Sequence, residues 1–297
     1  MNELPPPDDR AHVRYRALWD RPDHDYTRAR AFVEHLYARS QAYLDADIRR
    51  DLPRDFSQRF WEMCIATMLL DAGVELCPRS RRPNPSRGPD ILLADGTTWI
   101  EAVSVGAGEG PDALQWPTGA LGTVMYVPDE RVSLRLLSVI FEKLGKAREY
   151  LSSGLVKPGD RYIVAVNAAE VPWARQESAV PRIVRSLFPI GSLEVTIGLP
   201  DGEVKGIGHA HRPHIRKELG AQVPTSLFLQ DESALIGAVL YACVDEFNVR
   251  PEPKDDLILV HNPRAANPVP VGWVRAGHEY YLEGEAVKHV DHRSNAA

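Results

Sequence analysis

Residues 89–105 read PDILLADGTTWIEAVSV, and this stretch decides the fold. Two runs of apolar and β-forming residues are joined by Asp95-Gly96, the strongest short-range signal for a β-hairpin. If these two residues form a two-residue turn, Asp90 faces Glu101 across the hairpin. Side chains that face each other directly lie on one side of a sheet, with Cβ atoms about 5 Å apart. The sequence therefore predicts two neighbouring carboxylates on one face of a hairpin.

Two carboxylates at this spacing repel each other, and a divalent cation would compensate them. Hard oxygen ligands suit Mg²⁺ or Mn²⁺, so Mg²⁺ (or Mn²⁺) is the predicted cofactor, with Asp90 and Glu101 as metal ligands. Glu101 lies inside the apolar run 99–103, where an acid needs a reason. The alternative is a solvated sheet face, or a longer turn that shifts the register.

A helix is predicted before the hairpin, from a Ser57 cap to a stop near Gly73. It carries Glu62, whose neighbours at i+3, i+4 and i+7 are all apolar. An acid on a core-facing stripe is unusual, so Glu62 is a third candidate for the metal site. The alternative is that Glu62 pairs with Arg59.

The rest of the chain predicts an α/β (α+β) protein. A helix, three strands that include a short one at 74–77, a second helix and a further strand favour a central mixed β-sheet flanked by helices. Residues 1–25 are rich in Pro, Asp and Arg and are expected to form a poorly ordered arm. Helices are predicted at 27–48, 131–152 and 233–246, and strands at 161–167, 193–198, 204–208, 225–230, 256–261 and 271–283.

No linker in the sequence forces a domain boundary. We therefore expect a core with an addition at each end of the chain. An N-terminal arm and helix occupy residues 1–55, the core residues 56–170, and a C-terminal extension packed on the core residues 171–297. Residues 106–129 carry several Gly and Pro and predict a long loop that covers a site.

Composition excludes some classes of protein. The longest apolar runs are far shorter than the ~20 residues of a membrane span, and no secretory signal is visible, so a cytoplasmic protein without a membrane partner is expected. A net charge of −6 argues against a surface coated for nucleic acid. A local basic patch is still possible in the loop before Asp90. This loop is either a solvated segment or a contact for phosphate, and its arginines are Arg79, Arg81, Arg82 and Arg87.

Taken in order, helical Glu62, Gly88-Pro89-Asp90 and Glu101-Ala102-Val103 resemble the PD-(D/E)XK nuclease superfamily. The resemblance covers about residues 57–167. It implies a restriction-endonuclease-like core, in which a helix with a Glu precedes a three-stranded meander with the acids, a second helix and another strand. It also implies catalytic roles for the three acids.

The chain departs from this family at Val103, where the family has a lysine. By strand parity Val103 shares the face of Glu101. Some members supply the lysine from the second helix, and the resemblance makes Lys143 the first candidate because it interrupts an apolar helical row. The alternative is that Lys143 extends from the edge of that row to solvent. Arg135 and Lys146 are the second choice for contacting phosphate.

The resemblance implies a metal-dependent nuclease that hydrolyses phosphodiester bonds, with DNA rather than RNA as the expected nucleic-acid partner. A homodimer is compatible with the sequence. The alternative function is a catalytically inactive nuclease-fold protein that binds nucleic acid or protein. Val103 and the negative net charge favour that alternative.

Overall fold

The computed structural model describes residues 4–84, 87–119, 124–200, 202–248 and 252–293. None of the helices in these ranges is long and apolar enough to cross a membrane. The helices are α1 (Val13–Asp20), α2 (His24–Ser40), α3 (Ile48–Asp51), α4 (Phe56–Asp71), α5 (Asp129–Ser152) and α6 (Arg182–Leu187). The strands are β1 (Ile91–Leu92), β2 (Thr98–Gly106), β3 (Arg161–Glu170), β4 (Ile190–Ile197), β5 (Val204–His211), β6 (His214–Arg216), β7 (Gln222–Pro224), β8 (Ala238–Ala242), β9 (Ile258–His261), β10 (His278–Glu283) and β11 (Ala286–Asp291).

Seven strands form one mixed sheet in the order β1-β2-β3-β8-β9-β10-β11. Strands β2, β3 and β8 run parallel, as do β9 and β10, and the other neighbours are antiparallel. The predicted α+β class with a mixed sheet and flanking helices is confirmed. The last four strands of the sheet come from the predicted C-terminal extension, so this part of the chain continues the sheet of the core.

The predicted hairpin register is present. Ile91 pairs with Ile100 and Leu92 with Trp99, as a turn at Asp95-Gly96 requires. The turn is longer than two residues, because its closing hydrogen bond runs from the Leu93 N–H to the Thr98 carbonyl over 2.9 Å. The Asp95 carboxylate accepts hydrogen bonds from the backbone N–H groups of residues 97 and 98. These two donors of the turn therefore have an acceptor within the turn itself.

Alternate residues of β2 point into two separate apolar clusters. Ile100 and Ala102 pack with α4 on one face of the sheet. Trp99 and Val105 pack with α5 on the other face. Burial on both faces explains the apolar character of this strand, and parity places Glu101 on the face covered by α5.

Helix α4 begins slightly earlier than predicted. Its N-cap is Asp55, and Ser57 lies inside the first turn rather than at the cap. The helix ends where Gly73 was predicted to stop it, and Gly73 has a φ of +80°, which favours glycine. The short strand predicted at 74–77 is reduced to a single antiparallel bridge between Leu76 and Leu93.

The prediction of a poorly ordered arm over residues 1–25 is wrong for its described part. Residues 13–20 form α1, and Tyr15 and Leu18 are buried in the same cluster as α4. The Tyr15 hydroxyl donates to the Pro5 carbonyl and ties the preceding segment down. The polar composition concealed two apolar anchors that are enough to dock one short helix.

Two predictions in the C-terminal part are also wrong. Residues 233–246 were predicted as a helix, yet they contain the central strand β8, which is buried along its whole length. A strand buried on both faces is a continuous apolar run, and periodicity does not separate it from a buried helix. The strand predicted at 225–230 is a 3₁₀ turn at Leu227–Leu229. Strands near 193–198, 204–208 and 256–261 are confirmed, and 271–283 is a strand in its second half.

Candidate functional site

Asp90 lies immediately before β1, and its carboxylate is directed across the hairpin. Its Oδ2 atom accepts a hydrogen bond of 2.7 Å from the Ala102 N–H, next to Glu101. The buried guanidinium of Arg82 donates to the carbonyls of Pro89 and Asp90, over 3.2 and 2.8 Å. The backbone of Asp90 is therefore held in place by a side chain from the preceding loop.

Glu101 is buried in the middle of β2 and contacts three side chains of α5. Its Oε1 atom accepts hydrogen bonds from the Lys143 and Lys146 ammonium groups, over 3.0 and 2.5 Å. The Tyr150 hydroxyl lies 3.4 Å from Oε2. The three α5 residues are spaced i, i+3 and i+7, which places them on one face of the helix. Lys143 is buried, as its position in an apolar row predicted.

Glu62 faces the same region from α4 and is buried. Its carboxylate pairs with Arg59, whose Nη1 lies 2.9 and 2.8 Å from the two oxygens, so the alternative pairing is present alongside the core-facing position. The Gln58 amide donates to Glu62 and to the Ala102 carbonyl, each over 3.0 Å. Gln58 also accepts from the Ser104 N–H over 2.9 Å. Gln58 thus fastens α4 to β2 beside the two acids.

The electrostatic environment of Asp90 is unfavourable for a carboxylate. Burial raises the pKa of Asp90 well above its usual range, and repulsion from Glu62 and Glu101 raises it further. The hydrogen bond from Ala102 opposes this shift. Burial also raises the pKa of Glu62, against the attraction of Arg59. Among the described residues, no lysine or arginine side chain forms an ion pair with the Asp90 carboxylate.

Glu101 and burial determine the charge states of the two α5 side chains Lys146 and Tyr150. Burial lowers the pKa of Lys146, but the attraction and hydrogen bond of Glu101 outweigh burial, and the net pKa is raised. Burial raises the pKa of Tyr150 to about 12, with repulsion from Glu101 adding to it. Lys146 is therefore a cation and Tyr150 a neutral hydrogen-bond donor at neutral pH. The Lys146 side chain is 40% exposed, so it is open to an incoming anion.

The donor set fits a hard divalent cation in its chemistry. In the described part of the chain there is no group of three or more His, Cys, Asp or Glu residues in position to hold a metal ion. Mg²⁺ usually uses one or two carboxylates and keeps several waters, so the Asp90–Glu101 pair is a sufficient protein contribution. The raised pKa of Asp90 is what a nearby cation would relieve. Any ion here would share Glu101 with the two lysines.

The predicted basic loop divides into buried and exposed arginines. Arg79 is buried and pairs with Asp45, and buried Arg82 holds the backbone of Asp90. Arg81 and Arg87 are exposed. Arg135 is half-buried, and its Nε atom donates to the Gly106 carbonyl over 3.1 Å.

Val103 shares the face of Glu101, as strand parity predicted, and is partly buried against the apolar cluster beneath α5. Position 103, which corresponds to a lysine in the superfamily that the sequence resembles, is thus a packed aliphatic side chain, while Lys143 and Lys146 of α5 are the cations that contact Glu101. Sequence reasoning missed the positioning roles of Gln58 and Tyr150. Their spacing from Glu62 and Lys143, at i−4 and i+7, could have indicated them.

Comparison with other proteins adds no assignment to this geometry. No family model, curated protein or solved structure matches the chain. The function of the site is therefore argued from its own side chains.

Proposed function

We propose that this protein is a metal-dependent nuclease that hydrolyses phosphodiester bonds, with DNA as its substrate. The observation that carries the proposal is the pairing of Asp90 and Glu101 on one hairpin, with two lysines on the Glu101 carboxylate. The order α4, the β1–β2 hairpin, α5 and parallel β3 supports a restriction-endonuclease-like core. The PD-(D/E)XK resemblance implies this order for residues 57–167, with a third meander strand at 74–77 that is present here as a single bridge between Leu76 and Leu93.

Asp90 and Glu101 would hold Mg²⁺ or Mn²⁺. When bound, the ion would supply Lewis acidity toward a phosphodiester oxygen and lower the pKa of water. Glu62 on α4 would hold the first ion through a water molecule or would bind a second ion. Its ion pair with Arg59 would offset part of its negative charge. Arg82 and Gln58 keep the two strands of the hairpin in place, so that the carboxylates do not separate under their mutual repulsion.

The lysines of α5 would take over the role of the family's missing motif lysine. Lys143 is fixed by burial and by its 3.0 Å contact with Glu101, which suits a preorganised charge that stabilises developing negative charge on phosphate. Lys146 is half-exposed and suits the contact with the phosphate itself. Lys143 and Lys146 balance the charges of Glu101 and Asp90, so a divalent cation bound at the two carboxylates would leave a local surplus of positive charge for an anionic substrate.

Contacts with the nucleic-acid backbone are assigned to a limited patch. Arg81 and Arg87 are exposed on the loop that leads to Asp90, and phosphate recognition requires exposed cations. Buried Arg79 and Arg82 direct their donors to protein groups, and Arg135 directs one donor to Gly106. The net charge of −6 agrees with a patch rather than a broad basic surface.

The second candidate function is an inactive nuclease-fold module that binds nucleic acid or protein. One observation favours it, because Glu101 is neutralised by Lys143 and Lys146 and Glu62 by Arg59 without any metal ion. Asp90 stands against it, because its carboxylate has no such compensation. Asp90 is therefore the residue on which the two functions differ.

The test is incubation of the purified protein with supercoiled plasmid and Mn²⁺ or Mg²⁺. The wild type should nick the plasmid, and Asp90→Asn, which keeps the size and an acceptor for Ala102, should not. Glu149→Gln, which changes an exposed acid on α5, is the matched control and should nick like the wild type. Absence of nicking with either metal on plasmid, single-stranded DNA and RNA would favour the binding module.

A further inference from the structure

Tyr162 in β3 carries a buried hydroxyl that has no hydrogen-bond partner among the described residues. The residue is 2% exposed, and its hydroxyl oxygen is shielded from solvent. A buried hydroxyl without a partner destabilises a fold, and phenylalanine at the same position would avoid this cost. A tyrosine at this position therefore indicates a contact with a group outside the protein chain, such as water or an ion.

Tyr162 lies on the same face of the sheet as Glu101, one strand away. In the parallel pair of β2 and β3, Trp99 pairs with Tyr162 and Glu101 pairs with Val164. Residues two apart along a strand share a face, so Tyr162 and Glu101 both lie beneath α5. With a rise of about 3.3 Å per residue and about 4.8 Å between strands, their Cα atoms are about 8 Å apart. This separation is within the combined reach of the two side chains and one water molecule.

Tyr150 connects Tyr162 with the candidate site. The rings of the two tyrosines are tilted, with centroids 6.4 Å apart. The Tyr150 hydroxyl in turn lies 3.4 Å from the Oε2 atom of Glu101. Burial raises the pKa of Tyr162 far above its usual range, and repulsion from the carboxylates of Glu101 and Asp90 adds to this shift. Tyr162 is therefore a neutral hydroxyl in the electrostatic field of both carboxylates.

The chemistry of a bound cation indicates what this hydroxyl contacts. A Mg²⁺ ion that is held by one or two carboxylates keeps several waters, whose hydrogens need acceptors. The Oε1 atom of Glu101 already accepts from two lysines, and Oδ2 of Asp90 accepts from the Ala102 N–H. The Tyr162 oxygen accepts from no donor in the described part of the chain, and a hydroxyl has lone pairs for this purpose.

We propose that Tyr162 is a positioning residue of the metal site, whose hydroxyl accepts a hydrogen bond from the water around a cation held by Asp90 and Glu101. This inference rests on the proposed function of these two carboxylates. Tyr162 acts through water and is not a ligand of the ion. Groups that fix the surroundings of a bound metal typically contribute about tenfold or more to its affinity. Tyr162 therefore strengthens binding of the ion without changing the set of ligands.

A small cavity beside Tyr162 gives the competing, structural explanation. The cavity has a volume of about 20 Å³, and Asp160 and Asn267 are among the residues that line it. One water molecule fits in such a space, and a hydroxyl that contacts only this water would serve the fold alone. Removal of the hydroxyl would then destabilise the protein and leave metal binding unchanged. The proposal predicts the reverse on both counts.

The test is Tyr162→Phe in the full chain, which removes the hydroxyl and keeps the ring. With a chelator present, the variant should melt at the temperature of the wild type or above it, because it loses an unpartnered buried hydroxyl. Titration with Mn²⁺, followed by electron paramagnetic resonance of the free ion, should show binding about tenfold weaker than in the wild type. Plasmid nicking should fall at low Mn²⁺ and return to the wild-type rate at saturating Mn²⁺.

Tyr241→Phe is the matched control. Tyr241 in β8 is also 2% exposed and belongs to the same apolar cluster as Tyr162. The acid near its hydroxyl is Glu177, which is not part of the candidate metal site. Tyr241→Phe should therefore bind Mn²⁺ as the wild type does. Equal weakening in both variants would mean a general effect of packing and would contradict the proposal.

Two further results would overturn the proposal. Tyr162→Phe that binds Mn²⁺ as tightly as a binding-competent wild type would contradict the role of Tyr162 alone and leave the site at Asp90 and Glu101 intact. A clear fall in the melting temperature of metal-free Tyr162→Phe would assign the hydroxyl to the fold. Wild type that binds no Mn²⁺ would instead contradict the proposed function itself, and the role of Tyr162 with it.

Discussion

Two carboxylates toward opposite ends of the central sheet differ in the number of hydrogen-bond donors around them. Glu279 in β10 is buried and accepts hydrogen bonds from His261, His292 and the Gly272 N–H, over 2.7, 2.8 and 2.7 Å. Asp90 accepts one such bond, from Ala102, and faces two further acids. One carboxylate is fully provided with donors, and the other is not.

The pKa values of the two groups shift in opposite directions. Burial raises the pKa of Glu279, but the hydrogen bonds of His261, Gly272 and His292 outweigh burial, and the net pKa is lowered. At Asp90, burial and repulsion act together, and the pKa is raised. A buried acid with a full set of donors stabilises a fold, whereas one without compensation indicates a site that serves another purpose. We therefore assign stability to Glu279 and function to Asp90.

The largest expected effect separates stability from activity at Glu279. Glu279→Gln leaves two imidazoles and one backbone N–H without their anionic acceptor, and it should lower the free energy of unfolding by about 3 kcal/mol. Urea denaturation measures this loss. Plasmid nicking at a temperature well below the melting point should be unchanged. A variant with normal stability and impaired nicking would reverse the assignment of the two regions.

At Lys143 we expect the opposite result, a loss of activity without a loss of metal binding. Lys143→Met keeps the volume of a buried side chain and removes one charge, so turnover should fall about a hundredfold. Metal binding should persist, because a protonated lysine has no lone pair for the ion. Arg148→Met, at an exposed position on α5, is the control. Unchanged turnover in Lys143→Met would move the role to Lys146 or Arg135.

At Asp90, loss of the charge should stabilise the metal-free protein. Asp90→Asn relieves repulsion from Glu62 and Glu101 and keeps an acceptor for Ala102, so the free energy of unfolding should rise by about 1 kcal/mol. Urea denaturation in the presence of a chelator measures it. A loss of stability instead would mean that the charge of Asp90 supports the fold, as that of Glu279 does.

The smallest effect is a pair of opposite pH dependences. The raised pKa of Asp90 means that the folded state binds its proton more tightly, so this group's contribution to stability is complete below the unfolded pKa near 3.9 and is lost as pH rises through the folded value. The lowered pKa of Glu279 gives a contribution that is present above about 4.3 and is lost as pH falls. When the free energy of unfolding is measured from pH 3 to 7, Asp90→Asn should become more stable relative to the wild type as the pH rises. Glu279→Gln should approach the wild type as pH falls, and parallel curves would refute both assignments.

The sequence predicted the part of the site that depends on local patterns. Asp95-Gly96 fixed the register that brings Asp90 beside Glu101, and helical spacing placed Lys143 in the core. Both inferences need only the short-range periods of a strand and a helix.

Contacts that depend on distant packing could not be predicted in this way. The contact between Lys146 and Glu101 requires knowledge of how α5 lies on the sheet. The loop composition predicts that Arg82 is either solvated or in contact with phosphate, whereas it donates to the backbone of Asp90. The local pattern predicts a helix where β8 lies, because this strand is apolar on both faces. The hydrogen bonds of Glu279 in β10 join it to His261 in β9 and to His292, the residue after β11, which no local pattern connects.

The central claim is that Asp90 and Glu101 form a site for a divalent cation, and titration of the apo protein with Mn²⁺, followed by electron paramagnetic resonance of the free ion, tests it most directly. Wild type and Glu149→Gln should bind Mn²⁺ with modest affinity, and Asp90→Asn should bind none at this site. Wild type that leaves all Mn²⁺ free at millimolar concentration, or Asp90→Asn that binds as the wild type does, would contradict the account.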